Sequence, residues 1–104
     1  LNKEMLKGTI DILILCVLKE QENYGYEISK TIKIKTEGLF EIQEATLYLS
    51  LKRLEKLKAI ASYWGDESNG GRRKYYRITE EGMALLAQSI KDWKETVSIV
   101  DKFI

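Results

Sequence analysis

A chain of 104 residues, 44 % hydrophobic and 32 % charged with a net charge of +1, has the composition of one globular domain rather than of a disordered segment. Its longest apolar run, Ile12 to Leu18, is too short to span a bilayer, and nothing before it reads as a secretory signal, so a cytoplasmic protein without a membrane partner is expected. With no histidine and a single cysteine, Cys16, the sequence offers no nucleophile–base pair and no metal-ligand spacing; neither enzyme activity nor a cofactor is expected.

Residues 4–20 read as a first helix. Met5, Leu6, Ile10, Leu13, Ile14, Val17 and Leu18 recur at helical spacing, and Ile12 and Cys16 add a second apolar side. A helix that is apolar most of the way round is covered on two faces. So short a chain lacks the material for both, which points to a partner subunit on one. Cys16 itself is expected to be a small buried hydrophobe. Glu22-Asn23-Tyr24-Gly25 breaks the pattern, and a second helix runs to about Thr36, with Ile28 and Ile32 as its core pair and Gly38 as C-cap. Leu39 to Ile42 is short enough to be a one-rung strand. A third helix is expected from Glu44 to Lys58, with Leu47, Leu51, Leu54 and Leu57 as its apolar stripe and Lys52, Arg53, Lys56 and Lys58 behind it.

Ile60 to Trp64 and Tyr75 to Thr79 alternate like strands, and the Asn-Gly between them predicts a hairpin with a long tip over Asp66 to Arg73. Thr79 then caps a last helix, whose first turn carries Glu80 and Glu81 at the positive end of the dipole. In that helix Leu86, Ile90, Trp93, Val97, Val100 and Ile104 follow at intervals of 4, 3, 4, 3 and 4. This is the seam of a helix packed along another helix, too short for a free coiled coil. It is expected to lie on the first helix of its own chain or of a partner, with Leu86, Ile90, Trp93, Val97 and Val100 forming a dimer interface.

Three helices followed by a hairpin make an α+β, mostly α fold: a winged helix-turn-helix over residues 1–79 and a C-terminal dimerisation helix over 80–104, in one compact unit. Charge is distributed to match. Residues 52–77 hold eight basic and three acidic side chains, while the segments on either side are each net negative. In such a fold the third helix enters the DNA major groove and the hairpin meets the flanking backbone or minor groove. Small Ala45 and Thr46 would let the helix approach base edges, and Tyr48, Lys52 and Arg53 suit phosphate contact. Gly70 and Gly71 would bring the wing backbone close to phosphate ahead of Arg72, Arg73 and Lys74. A solvated lysine-bearing helix face and an ordinary charged hairpin stay open as plainer alternatives, as does a module of the same fold whose basic patch meets an acidic protein. Trp93 is either plain core or, at a two-fold axis, one wall of a slot for a flat aromatic molecule.

Four stretches carry a resemblance. They are Gly8-Thr9-Ile10-Asp11-Ile12-Leu13-Ile14-Leu15, Tyr24-Gly25-Tyr26-Glu27-Ile28, Ala45-Thr46-Leu47-Tyr48 with Leu51, Arg53, Leu54 and Glu55, and Gly71-Arg72-Arg73-Lys74-Tyr75-Tyr76-Arg77-Ile78-Thr79-Glu80-Glu81-Gly82. In order, and over nearly the whole chain, they resemble the PadR family of transcriptional regulators. The resemblance implies a homodimeric repressor on a pseudo-palindromic DNA operator. Two positions depart: Leu49 stands where the family usually has proline, and Ala59 where it usually has glycine before the first wing strand. The single C-terminal helix and residues 63–77 are similar to the family's compact, multidrug-sensing lactococcal type, in which paired tryptophans sandwich planar drugs in a hydrophobic pore. That likeness implies a planar hydrophobic small molecule at Trp93, with Met5 and Ile12 as pore lining. Val97 replaces an acidic residue one turn after the tryptophan, and Asp11 would partly restore the charge.

Overall fold

The computed structural model describes residues 2–6, 8–65 and 71–104. The elements in chain order are α1 (Lys3–Leu6), α2 (Ile10–Glu20), β1 (Asn23–Tyr24), α3 (Gly25–Lys35), α4 (Glu44–Lys56), β2 (Ile60–Trp64), β3 (Lys74–Ile78) and α5 (Glu80–Asp101).

The expected first helix is in two pieces. At Gly8-Thr9 the chain makes a turn in which both the Thr9 amide and its hydroxyl donate to the Leu6 carbonyl, at 2.8 and 2.7 Å. Glycine lacks helix propensity and threonine competes for the preceding carbonyl, so the helix restarts at Ile10 despite apolar spacing that continues across the break. Thr9 is the N-cap position of the restarted helix, without a side-chain capping bond.

Both following helices end in the same six-residue turn. At the end of α3, Gly38 N–H donates to Lys33 O (2.8 Å) and Glu37 N–H to Ile34 O (3.0 Å). At the end of α4, Ala59 N–H donates to Leu54 O (2.9 Å) and Lys58 N–H to Glu55 O (3.0 Å). These are Schellman closures, which put the residue after the cap in the left-handed region. The residues there are Glu37 (φ +53°) and Lys58 (φ +62°), with Gly38 (φ +79°) following Glu37. The expected cap glycine thus lies one residue beyond the first left-handed position. The site before the wing that favours glycine is Lys58, not Ala59. Ala59 is buried beside Leu54, as the apolar contact of this motif requires. Leu57 lies past the last helical residue and is exposed, so the α4 stripe ends at Leu54.

Leu39 to Ile42 forms no strand. Instead Phe40 and Ile42 are buried as a strap over the core, and the Phe40 amide donates to Thr36 Oγ1 (3.2 Å). The third strand is Asn23–Tyr24, which pairs with β3 through Asn23↔Tyr76 and Tyr24↔Tyr75 and gives an antiparallel sheet of order β1-β3-β2. β2 and β3 pair from Ile60↔Ile78 to Trp64↔Lys74.

Ile14 and Leu15 of α2, Ile28 of α3, Leu47, Leu51 and Leu54 of α4 and Ile60 of β2 are the fully buried centre. α5 starts tightly against it. Thr79 Oγ1 accepts from Gly82 N–H (3.0 Å), as expected of the cap, and donates to Lys58 O (2.6 Å). A Cβ on Gly82 would overlap the Ala59 carbonyl oxygen, so glycine is what permits this approach. Farther along, α5 leaves the core. Leu86 is 2 % exposed, Trp93 46 % and Ile104 91 %. Leu86 is therefore core of its own chain and has no surface left for a partner, a correction to its expected place in a dimer interface. Ile90 is partly buried against the same core. The radius of gyration, 14.7 Å, exceeds the roughly 13 Å of a compact chain of this length, because α5 projects.

Candidate nucleic-acid interface

The buried residues of α4, namely Leu47, Ser50, Leu51 and Leu54, define its inner side. At about 100° per residue the opposite side carries Ala45, Leu49, Lys52 and Lys56. All four are exposed. Thr46, on the flank, is half-buried. On the other flank Tyr48 lies across the start of α3, where a Cβ on Gly25 would come within 2.7 Å of its hydroxyl oxygen. The glycine of Tyr24-Gly25-Tyr26 is thereby explained: it lets Tyr48 of α4 pack over the preceding helix.

Arg53 departs from expectation. Its guanidinium makes a two-pronged contact with Asp11 of α2, Nη2 to Oδ1 at 2.7 Å and Nε to Oδ2 at 3.1 Å, and a further bond to Ser50 Oγ at 3.2 Å. Hydrogen bonding to Asp11 raises the arginine pKa still further. Arg53 thus braces α4 against the start of α2 rather than standing free for phosphate, and the same pair engages Asp11. Helical geometry predicts the direction of Arg53 but not a partner on another helix.

The wing has two faces, not one cluster of cations. Tyr24, Tyr75 and Tyr63 stand in one row across the three strands. Ring centroids are 5.5 Å apart for Tyr24–Tyr75 and 5.7 Å for Tyr63–Tyr75. Arg73 lies over the Tyr24 ring at 4.7 Å. On the α4 side, Arg72 lies 5.6 Å over Trp64, and Lys74 is near Tyr76 and 3.9 Å from Glu55 of α4. The Tyr63 hydroxyl donates to Glu22, which pushes that phenol above the ordinary tyrosine value. Burial does the same for Tyr76. Gly71 has φ +90°, a conformation open to glycine. Gly70, the other wing glycine expected to approach phosphate, lies outside the described residues.

The residues expected to hold a small molecule come together in part. Asp11 and Ile12 of α2 face Trp93 of α5 across a cleft of about 360 Å³. Met5 and Val97 do not line it. Ser89, Asp92 and Thr96 do, and the seam pattern does not single them out. With Leu85 they repeat the 4, 3, 4 spacing of the seam one residue earlier, which is the signal that would have found them. Asp92 places a carboxylate next to Trp93 and accepts a hydrogen bond from Gln88 (2.9 Å). A second cleft, about 440 Å³, lies between α2 and α3. Cys16 lines it with Leu13, Val17 and Ile32, so this cysteine is half-buried rather than enclosed.

Residues 14–88 match the model of the transcriptional regulator PadR-like family. The chain belongs to that family. PadR-like proteins are transcriptional regulators and not enzymes. A transcriptional regulator from Clostridium thermocellum has the same fold, with a TM-score of 0.91 and 46 % identity over 97 % of this chain and 98 % of that one. Uncharacterized protein X of Lysinibacillus sphaericus is 46 % identical over 99 % of this chain and 94 % of its own length. The Bacillus subtilis PadR solved with operator DNA shares the fold at a TM-score of 0.71, with 22 % identity over 79 % of this chain and 46 % of that one. Among the described residues of this PadR-like chain, no helix is long and apolar enough to cross a membrane.

Proposed function

We propose that this PadR-like regulator binds a pseudo-palindromic DNA operator as a homodimer and represses transcription from it. The observation that carries the reading is the outer face of α4: Ala45, Leu49, Lys52 and Lys56 are left uncovered by the chain's own packing, beside a wing bearing Arg72, Arg73 and Lys74. Thr46 and Tyr48 would flank the contact. The Bacillus subtilis PadR, of the same fold, was solved with operator DNA, which supports the assignment by analogy of fold.

The distal part of α5 supports a dimer. Trp93, Val97 and Val100 lie on one seam and are all exposed in the single chain, an arrangement that a second chain would bury. Each α4 would then enter one of two major-groove segments ~34 Å apart. A planar aromatic molecule between α2 and α5, against Trp93, would release the repressor only by favouring a dimer with the wrong α4 spacing. Asp92 on the same cleft favours a cationic molecule, whereas the charge of Asp11 is already matched by Arg53.

Footprinting of DNA upstream of the protein's own gene, with sedimentation of the complex, tests this reading. The expected result is two protected segments about one helical turn apart and two chains bound. Binding to an acidic protein with no sequence-specific footprint would instead favour the protein-interaction module.

A further inference from the structure

In a helix-turn-helix the residues near the start of the recognition helix contact base edges, and those farther along meet the backbone. On α4 the outward residues of the first two turns are Ala45 and Leu49, both apolar and both exposed. Lys52 and Lys56 follow on the later turns. Three of the polar α4 side chains expected to contact DNA are turned to other partners or to the flank. Arg53 is held by Asp11 and Ser50. The Tyr48 hydroxyl packs over Gly25. Thr46 is half-buried on the flank.

Leu49 is the largest apolar group on this outward face and is 65 % exposed. An exposed leucine beside lysine-bearing turns contributes nothing to the core, yet it projects where a base edge would lie. In the major groove only thymine offers an apolar group, its 5-methyl. The geometry points to Leu49 as a specificity-determining residue that packs on a thymine methyl in each operator half-site. This rests on the DNA-binding reading above and adds the base and the contact. The occupant is set by charge as well as by shape, because the cations near Leu49 admit a polyanion to this face.

The test begins with duplexes selected from a random pool by the full-length chain. Thymines in the selected duplex are then replaced one at a time by deoxyuridine, which deletes only the methyl. For the wild-type chain we expect one or two positions per half-site at which uracil weakens binding about 3- to 5-fold, the value of one buried methyl. For Leu49→Ala those positions should lose their penalty, to below about 2-fold, while the other positions keep theirs. Alanine at an exposed helical site preserves the helix. A uracil penalty that persists unchanged in Leu49→Ala overturns the assignment, as does a specifically bound duplex indifferent to uracil throughout. Failure to enrich any duplex overturns the DNA-binding reading itself.

Discussion

Lys58 and Gly82 each bear on the turn that leads out of α4. Lys58 turns the chain out of α4 in the left-handed region, where a side chain costs about 1 kcal/mol relative to glycine. Gly82 sits against the carbonyl of the next residue, Ala59, with no room for a Cβ. The two substitutions therefore have opposite signs. Lys58→Gly is expected to stabilise the chain by about 0.5 kcal/mol, the relieved strain being partly offset by a freer unfolded state. Gly82→Ala should destabilise by about 1–3 kcal/mol, because the obstructing atom is backbone and cannot rotate away. Urea unfolding of both variants checks the pair. The sequence shows a glycine in Thr79-Glu80-Glu81-Gly82 but offers no reason for it. The reason is a contact with a residue 23 positions earlier, and no local pattern carries that. Arg53 is a parallel case: its basic character is legible in the sequence, its engagement by Asp11 is not.

At the level of elements, periodicity reveals what is long and one-sided. The stripe of α4 from Leu47 to Leu54, the β2 strand and the Thr79 cap follow from spacing and are found where expected, while β3 starts and ends one residue earlier than Tyr75 to Thr79. Periodicity fails at two places for distinct reasons. It runs through Gly8-Thr9, where apolar spacing continues but backbone hydrogen bonding does not. It is silent at Asn23–Tyr24, since two residues have no period and their strand exists only because β3 offers an edge. For α5 it catches the seam but not the neighbouring face that borders the cleft. The Trp93 ring is only about half buried, on that cleft, so Trp93→Ala should lower the unfolding free energy of the chain by about 1–3 kcal/mol and leave it folded. It should also abolish binding of a planar aromatic cation such as proflavine. Fluorescence titration identical to wild type would remove the ligand site from the account.

For the molecule as a whole, a net charge of +1 conceals a basic segment, residues 52–77, between two acidic ones. Folding divides that segment between α4 and the two faces of the wing and neutralises part of it, Arg53 through Asp11 and Lys74 in part through Glu55. Of the cations expected to meet phosphate, Lys52, Arg72 and Arg73 remain exposed and outside these ion pairs, and Lys56, Lys58 and Arg77 of the same segment are exposed as well. The most direct test of this interface is the salt dependence of binding to a specific duplex, compared between wild type and Arg72→Ala/Arg73→Ala. For every phosphate that the variant no longer neutralises, the slope of log K against log salt should fall by roughly 0.9, with affinity reduced by a similar factor across sequences. An unchanged slope would contradict the account, because it would place the wing off the DNA.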